Sequence, residues 1–298
     1  MVEEKKLLPN EPLIDFALGE QCYVQGNFQE AIEYYQNVLK DSEEIVGISI
    51  LQRIAEAYSS AGHFEEALPF YDRSLKKKTE LHTLFQFGLT AYQAGHYKTA
   101  VEKLAELQEL DHEYHSLYFY LASSYEMLED YEGAYKAVKE GIKQDEFNKE
   151  LYFKAGKIAL KLHQQDAAVS YFREALAIDP GYLEAGITLA KYFVSLDMFE
   201  ECIDLLESMK EYGENDPQFD WLLGQCYNET EQFAKAREYF QEAYTAYNDN
   251  EEFLLSYTYF LIEEGDMKVA EEIINKLLSL DAWNEEYIQL KERMSNTQ

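Results

Sequence analysis

A small residue returns along this chain at intervals close to 34 residues, and this regularity constrains the fold more than any other feature. The eight positions are Ala31, Ala67, Ala100, Ala134, Ala168, Cys202, Ala236 and Ala270. The first two intervals are 36 and 33 residues, and the five that follow are all 34 residues. A sequence that is similar to itself at a fixed period of this length is built from one supersecondary unit, stacked many times.

Each small residue is flanked by a repeating pattern of apolar residues. Three residues before it stands a large apolar residue in seven copies, with Gln165 as the exception, and four residues after it stands another. Twelve residues before it stands Gly or Ala in seven copies, with Thr258 as the outlier. Apolar residues three and four apart form one face of a helix, so each copy predicts two helices. Glycine, at which a helix can stop and the chain reverse, separates them at Gly26, Gly62, Gly95 and Gly265.

This pattern resembles that of the tetratricopeptide repeat family, whose 34-residue unit carries the consensus W-x2-L-G-x2-Y…A-x3-F…P. Two of the best copies read Leu18-Gly19…Gly26-x-Phe28-x2-Ala31-x3-Tyr35 and Leu223-Gly224-x2-Tyr227…Phe233-x2-Ala236-x3-Phe240. The resemblance extends over residues 12–284, and its general style is that of bacterial cytosolic members. The tryptophan of the first helix is nowhere in register, with Trp221 one position late, and only Pro180 fills the terminal proline position.

The resemblance implies an all-α fold, a right-handed superhelix of about eight helix-turn-helix repeats that bury each other's faces. We expect residues 1–11 to be a flexible N-terminus and residues 12–284 to be the repeats. Residues 285–298 are expected to form a capping helix and tail, because the ends of a solenoid need a polar cover. Two extra residues between the first two copies predict a longer loop around residues 41–47.

Composition and charge exclude several classes of protein. With 47% hydrophobic and 15% aromatic residues, the chain is not a disordered acidic segment. A net charge of −31, from 26 basic and 57 acidic residues, opposes binding to nucleic acid and to anionic membranes. The sequence shows neither a signal peptide nor a membrane span, and its three dispersed cysteines indicate a reducing compartment. The sequence therefore predicts a cytoplasmic protein.

Nothing in the sequence points to catalysis. There is no GxGxxG, P-loop or HExxH motif. His112 and His115 are too few for a metal site without further ligands, and Cys202 and Cys226 occupy positions typical of inert core thiols. We expect no enzymatic activity, no cofactor and no bound metal.

In this family the first helix of each repeat lines a concave groove, so the resemblance implies partner-binding residues at the matching positions. One of these positions is aromatic in five of eight copies, at Phe16, Phe85, Phe119, Phe153 and Trp221. Neighbouring inward positions add Tyr92, Tyr120, Gln225 and Tyr259. Either the rings pack between adjacent first helices as core, or they form a semi-exposed stripe that anchors an extended peptide or a partner helix.

Lysines cluster at the inward positions of the fifth and sixth repeats, at Lys154, Lys157, Lys161 and Lys191. The first three share one helical face because they are three and four residues apart. They are either a solvated face of the groove or a site for an acidic group of the partner, since clustered ammonium groups attract anions.

The sequence therefore predicts a non-catalytic scaffold or adaptor that binds a partner protein or peptide segment in its groove. Two alternatives stay open: a regulatory protein that senses a peptide, and the repeat portion of a longer multidomain protein. The partner, the oligomeric state and the face used for binding are not determined by the sequence.

Overall fold

The computed structural model describes residues 12–41, 47–213 and 216–296, and within these residues every regular element is an α-helix. The predicted flexible N-terminus, residues 1–11, lies outside the described residues, as do residues 42–46 of the longer loop. None of the described helices combines the length and the apolar character that crossing a membrane requires.

The helices follow one another in pairs, and they fall into two compact units, residues 1–171 and residues 172–298, with the boundary inside the tenth helix. The first ten are α1 (Pro12–Val24), α2 (Phe28–Asp41), α3 (Ile48–Ser60), α4 (Phe64–Lys77), α5 (Leu81–Gln93), α6 (Tyr97–Leu110), α7 (Ser116–Met127), α8 (Tyr131–Gln144), α9 (Lys149–Lys161) and α10 (Gln165–Ile178). They are followed by α11 (Leu183–Val194), α12 (Phe199–Ser208), the short α13 (Lys210–Gly213), α14 (Pro217–Glu229), α15 (Phe233–Tyr247), α16 (Glu251–Glu264), α17 (Met267–Leu280) and α18 (Glu285–Asn296).

The repeating small residues are the points of closest helix packing, and all eight are fully buried. The Gly or Ala twelve residues earlier also lets two helices approach closely. A Cβ added at Gly19 would lie 2.5 Å from the ring of Tyr35, and one at Gly88 would lie 2.6 Å from Leu104. Within each of these hairpins, the two backbones can approach only because the first helix carries no side chain at this position.

The residue three positions before each small residue begins the second helix of its pair. These first residues are Phe28, Phe64, Tyr97, Tyr131, Gln165, Phe199, Phe233 and Met267. The helix starts at Gln165 as it does at the apolar copies, so the register of the repeat decides the start of the helix more than the residue type does. This arrangement confirms the all-α fold of paired helices.

The turn inside each pair has one backbone conformation, whether or not it carries glycine. Gly26, Gly62, Gly95 and Gly265 have φ between 79° and 82°. Four other residues occupy the equivalent position with φ between 57° and 60°, namely Glu129, His163, Asp197 and Glu231. The sequence predicted this turn only where glycine stands, because the other four residues carry no local signal for a left-handed conformation.

Replacing His163 by glycine should stabilise the protein. The left-handed conformation costs a non-glycine residue about 1–2 kcal/mol. Glycine avoids this cost, but its greater flexibility in the unfolded chain offsets part of the gain. We therefore expect the free energy of unfolding to rise by about 0.5–1 kcal/mol. His163 is exposed, and its side chain is therefore not part of the core. The urea midpoint measures the gain. Gly95→His at the equivalent turn is the reverse control and should lower the midpoint; a lower midpoint for His163→Gly would contradict the prediction.

The helix α12, the second of its pair, is shorter than the pattern predicts. It ends at Ser208 after ten residues, whereas the second helices α10 and α17 run for fourteen. Met209 leaves the helix, is buried and fills the space beside Gly186. The chain then forms α13, whose Gly213 lies so close to Phe219 that an added Cβ would be 2.6 Å from its ring. The second unit therefore contains one short helix that the periodicity did not predict.

Candidate partner-binding site

Five aromatic side chains of the first unit form a contiguous cluster on α5, α7 and the loop before α7. Tyr120 is its centre, because its ring centroid lies 6.0 Å from those of Phe85 and Tyr92 and 5.5 Å from that of Phe119. Tyr114 belongs to this aromatic cluster, 5.0 Å from Phe85, and Tyr97 of α6 adjoins it, 5.8 Å from Tyr92. Four of the five residues were predicted. Tyr114 was not, since it lies in a loop, outside the helical positions that the register compares.

The predicted aromatic positions differ widely in exposure. Phe85 and Phe153 are buried, as expected for rings that pack between first helices, whereas Phe119 is 37% exposed. Tyr92 and Tyr120 are half-buried. Burial, and then the neighbouring Tyr97 hydroxyl, raise the pKa of Tyr92 above its ordinary value. Some of the predicted rings are therefore core and others are partly exposed, and Phe119 is the large apolar surface that the cluster presents to solvent; binding of a partner at these rings stays a prediction.

The three predicted site lysines of α9 are not equivalent. The ammonium of Lys154 lies 2.8 Å from the carboxylate of Glu126 and 4.8 Å from the ring centroid of Phe119, and its side chain is only 14% exposed. Lys154 is therefore already paired, and it fixes the Phe119 ring from one side.

Lys157 and Lys161 are exposed and continue the same face of α9. The Nζ atom of Lys157 lies 5.3 Å from the ring centroid of Phe153, and in the part of the chain that the structure describes neither lysine forms an ion pair. Their positive charges are thus available to an anion. Lys191, the fourth predicted lysine, is an exposed residue of α11 in the second unit.

At the start of the first unit the predicted site residue Phe16 is half-buried and packs 5.9 Å from the ring of Tyr35. The nearby carboxylates are paired locally. Glu20 accepts a hydrogen bond of 2.6 Å from the Tyr35 hydroxyl and lies 3.0 Å from the guanidinium of Arg53, which also contacts Glu56 at 2.9 Å. These contacts link the first two repeats, and one guanidinium beside two carboxylates leaves one net negative charge.

The second unit holds the remaining predicted residues. Trp221 is buried, and its indole N–H donates to Ser256 Oγ at 3.1 Å. Gln225 donates to the same oxygen at 3.2 Å. Ser256 was not among the predicted site residues. It stands at an inward position of its own repeat, and only this position could have identified it as one. Tyr259 is 41% exposed, and its hydroxyl donates to Glu286 at 2.9 Å.

The chemistry of these surfaces is that of recognition. In the described ranges, no group of three or more His, Cys, Asp and Glu side chains is placed to hold a metal ion. The first unit offers the exposed ring of Phe119 beside two half-buried tyrosines, and two unpaired ammonium groups on α9. Such a surface can bind an apolar side chain beside an anionic group.

Comparison with known families gives matches along most of the chain. Residues 1–43 match the YpiA-like tetratricopeptide repeats, and residues 217–282 match the YpiA-like C-terminal tetratricopeptide repeats. Three general tetratricopeptide repeat families match residues 50–82, residues 85–146 and 128–182, and residues 159–226.

One curated protein and several solved structures are similar to this chain. TPR repeat-containing protein YpiA of Bacillus subtilis (strain 168) is 42% identical over 286 residues, which span 96% of this chain and 68% of that protein. The crystal structure of MamA matches with a TM-score of 0.54 at 20% identity, over 58% of this chain and 94% of MamA. YrrB, described as a TPR protein with an unusual peptide-binding site, matches with a TM-score of 0.54 at 14% identity, over 62% of this chain and 94% of YrrB.

Proposed function

Because the chain belongs to the YpiA-like tetratricopeptide repeat family, we propose that it is a non-catalytic scaffold that binds a segment of a partner protein along its first helices. The observation that carries the proposal is Phe119, a large ring left 37% exposed at the edge of the aromatic cluster, with two exposed lysines, Lys157 and Lys161, on the neighbouring α9. YrrB supports it by analogy of fold, since that protein has a peptide-binding site.

The bound segment should carry an aromatic or aliphatic side chain followed by an acidic one. Tyr120 and Lys154 hold Phe119 in place, so a partner that contacts it orders little further surface. Lys157 and Lys161 follow Lys154 on the same face of α9 and attract a carboxylate. Lys154 stays with Glu126 and is not the anion-binding group.

We also propose that the protein acts in the cytoplasm. Its three cysteines, Cys22, Cys202 and Cys226, are all free thiols, and the last two are buried. Free buried thiols are typical of proteins from a reducing compartment.

Selection from a phage-displayed library of random peptides against the full chain tests the binding surface. Enriched peptides should combine an apolar residue with Asp or Glu. Fluorescence polarisation measures the affinity for an enriched peptide. Phe119→Ala and Lys157→Glu should each lower that affinity by at least about tenfold, since both remove a central contact.

Matched variants keep this test specific. Phe147→Ala removes an exposed ring from the loop between α8 and α9, and Lys98→Glu reverses a charge on the second helix α6. Both should bind the enriched peptide as the original chain does. Undiminished binding by both Phe119→Ala and Lys157→Glu would exclude the first helices of this unit as the binding surface.

A further inference from the structure

The second unit contains a cavity of 620 Å³ between α13, α14 and α15. Its charged lining consists of Lys210, Glu211, Asp220, Glu238 and Glu242. Asp220 occupies the register position of the first-helix tryptophan in the tetratricopeptide consensus, and Trp221 lies one position late. A carboxylate and an open space thus stand where the family consensus has an indole.

Asp220 is a buried charge without a partner. Its residue is only 9% exposed, and among the described residues its carboxylate makes neither a hydrogen bond nor an ion pair. The nearby Asp216 is already engaged, because it accepts hydrogen bonds from the backbone N–H groups of Gln218 and Phe219 at 2.9 and 3.1 Å. The carboxylate oxygens of Asp220 are not sealed from solvent, so the open cavity is what solvates this otherwise buried side chain.

Lys210 does not act as the counter-ion of Asp220. Its ammonium donates to the hydroxyl of Tyr239 at 2.8 Å and lies 5.2 Å from the centroid of that ring. Burial, followed by the carboxylates of Glu242 and Asp216, raises the pKa of Asp220 to about 6 although Lys210 acts in the opposite direction. At neutral pH Asp220 is therefore ionised and faces the cavity with its charge unbalanced.

The lining selects an organic cation. Among the described residues the lining holds four carboxylates and one ammonium, which leaves the cavity strongly negative. No three metal-binding side chains converge in the described part of the chain, so a small metal ion has no ligand set here. Pro217, Ala246 and the ring of Tyr239 provide apolar walls for an aliphatic stem.

We propose that the Asp220 cavity binds an alkylammonium or guanidinium group, with the carboxylate of Asp220 as its inner counter-ion and Glu238 and Glu242 on the solvent side. A basic side chain of a partner protein and a free polyamine present the same chemistry. The proposal is independent of the peptide site, because none of these residues belongs to the aromatic cluster.

Calorimetric titration of the full chain at neutral pH and physiological salt tests the proposal. The probes are N-acetyl-arginine methylamide, N-acetyl-lysine methylamide and spermidine, with N-acetyl-norleucine methylamide as the neutral control. We expect saturable binding of at least one cation at a single site and none of the neutral probe. Tighter binding of spermidine identifies a free polyamine, and tighter binding of an amino-acid probe identifies a partner side chain.

Asp220→Asn keeps the shape of the side chain and should lower the affinity for the cation by at least about tenfold, as expected for loss of a buried counter-ion. Glu272→Gln removes the same charge from an exposed position of α17 and should leave the affinity unchanged. If both variants lowered the cation affinity equally, the binding would come only from diffuse attraction to a chain of charge −31. That result, or the absence of saturable binding to the original chain, would overturn the proposal.

The pH dependence gives a second readout. Among the described residues, the groups facing Asp220 are Lys210 and Glu211 from α13, Asp216 at the N-cap of α14, and Glu238, Tyr239 and Glu242 from α15. As the pH falls through about 6, Asp220 becomes protonated and the cation affinity should fall with it. Asp220→Asn should lose this step and, because it removes an unpaired buried charge, should show a higher urea midpoint at neutral pH. A lower midpoint would assign the lost binding to misfolding and contradict the counter-ion role.

Discussion

Replacing Phe240 by alanine is expected to lower the free energy of unfolding by about 4 kcal/mol, because the substitution opens a large cavity in the centre of the second unit. Phe240 is almost fully buried. Its ring centroid lies 4.9 Å from that of Phe260 and 5.4 Å from that of Tyr257, and both pairs are stacked. The ring also packs against the bare backbone of Gly224, where a Cβ would be 3.1 Å away. Three helices therefore lose contacts at once.

Urea unfolding followed by circular dichroism measures this loss. Phe233→Ala is the matched control, since it removes the same side chain from the first residue of the same helix, where the ring is exposed. We expect the control to cost less than about 1 kcal/mol. Similar losses in the two variants would show that burial at Phe240 is not what stabilises this part of the chain.

Introducing leucine at Gly141 should cost about 3 kcal/mol, through overpacking. Gly141 lies on α8 at the point where α7 and α9 both approach. A Cβ there would be 2.6 Å from the Cβ of Tyr118 and 2.9 Å from a methyl group of Leu151. The first of these atoms is bound directly to the backbone of α7 and cannot turn away, so the helices must separate. The better helix propensity of leucine returns less than about 1 kcal/mol.

The same urea experiment measures the Gly141→Leu variant. Lys143→Leu provides its control, because it places the same side chain on an exposed position of the same helix and should change the free energy of unfolding by about 0.5 kcal/mol or less. Wild-type stability of Gly141→Leu would show that α7, α8 and α9 move apart without a penalty and would contradict the prediction.

Most of the helical architecture could be predicted from the sequence because it depends on local spacing. Residues that are three, four and twelve positions from Ala100 or Ala236 face the neighbouring helix, whatever the rest of the chain does. The left-handed turns at Glu129 and His163 could not be predicted in this way. Their side chains carry no preference for that conformation, which the register of the flanking helices imposes on them.

The exposure of the candidate site residues could not be predicted from register alone. Phe85 and Phe119 stand at the same repeat position, yet Tyr114, in the loop before α7, covers the first, and the second remains exposed. Likewise, Lys154 is paired with Glu126, 28 residues earlier in the chain, whereas Lys157 on the same helix is not. Which ring is covered and which charge is paired depends on contacts between repeats, and a pattern within one repeat does not contain them.

The two tryptophans give the second unit its own optical signal. Trp221 is buried against Phe253, whereas Trp283, in the loop before α18, is 88% exposed. The chain contains only these two, so selectively excited indole emission arises entirely from residues 172–298. The buried indole emits at shorter wavelength than the solvated one, and unfolding of this unit merges the two bands. Emission that changes at a different urea concentration from the total helical content would therefore reveal two separate cooperative transitions within one chain.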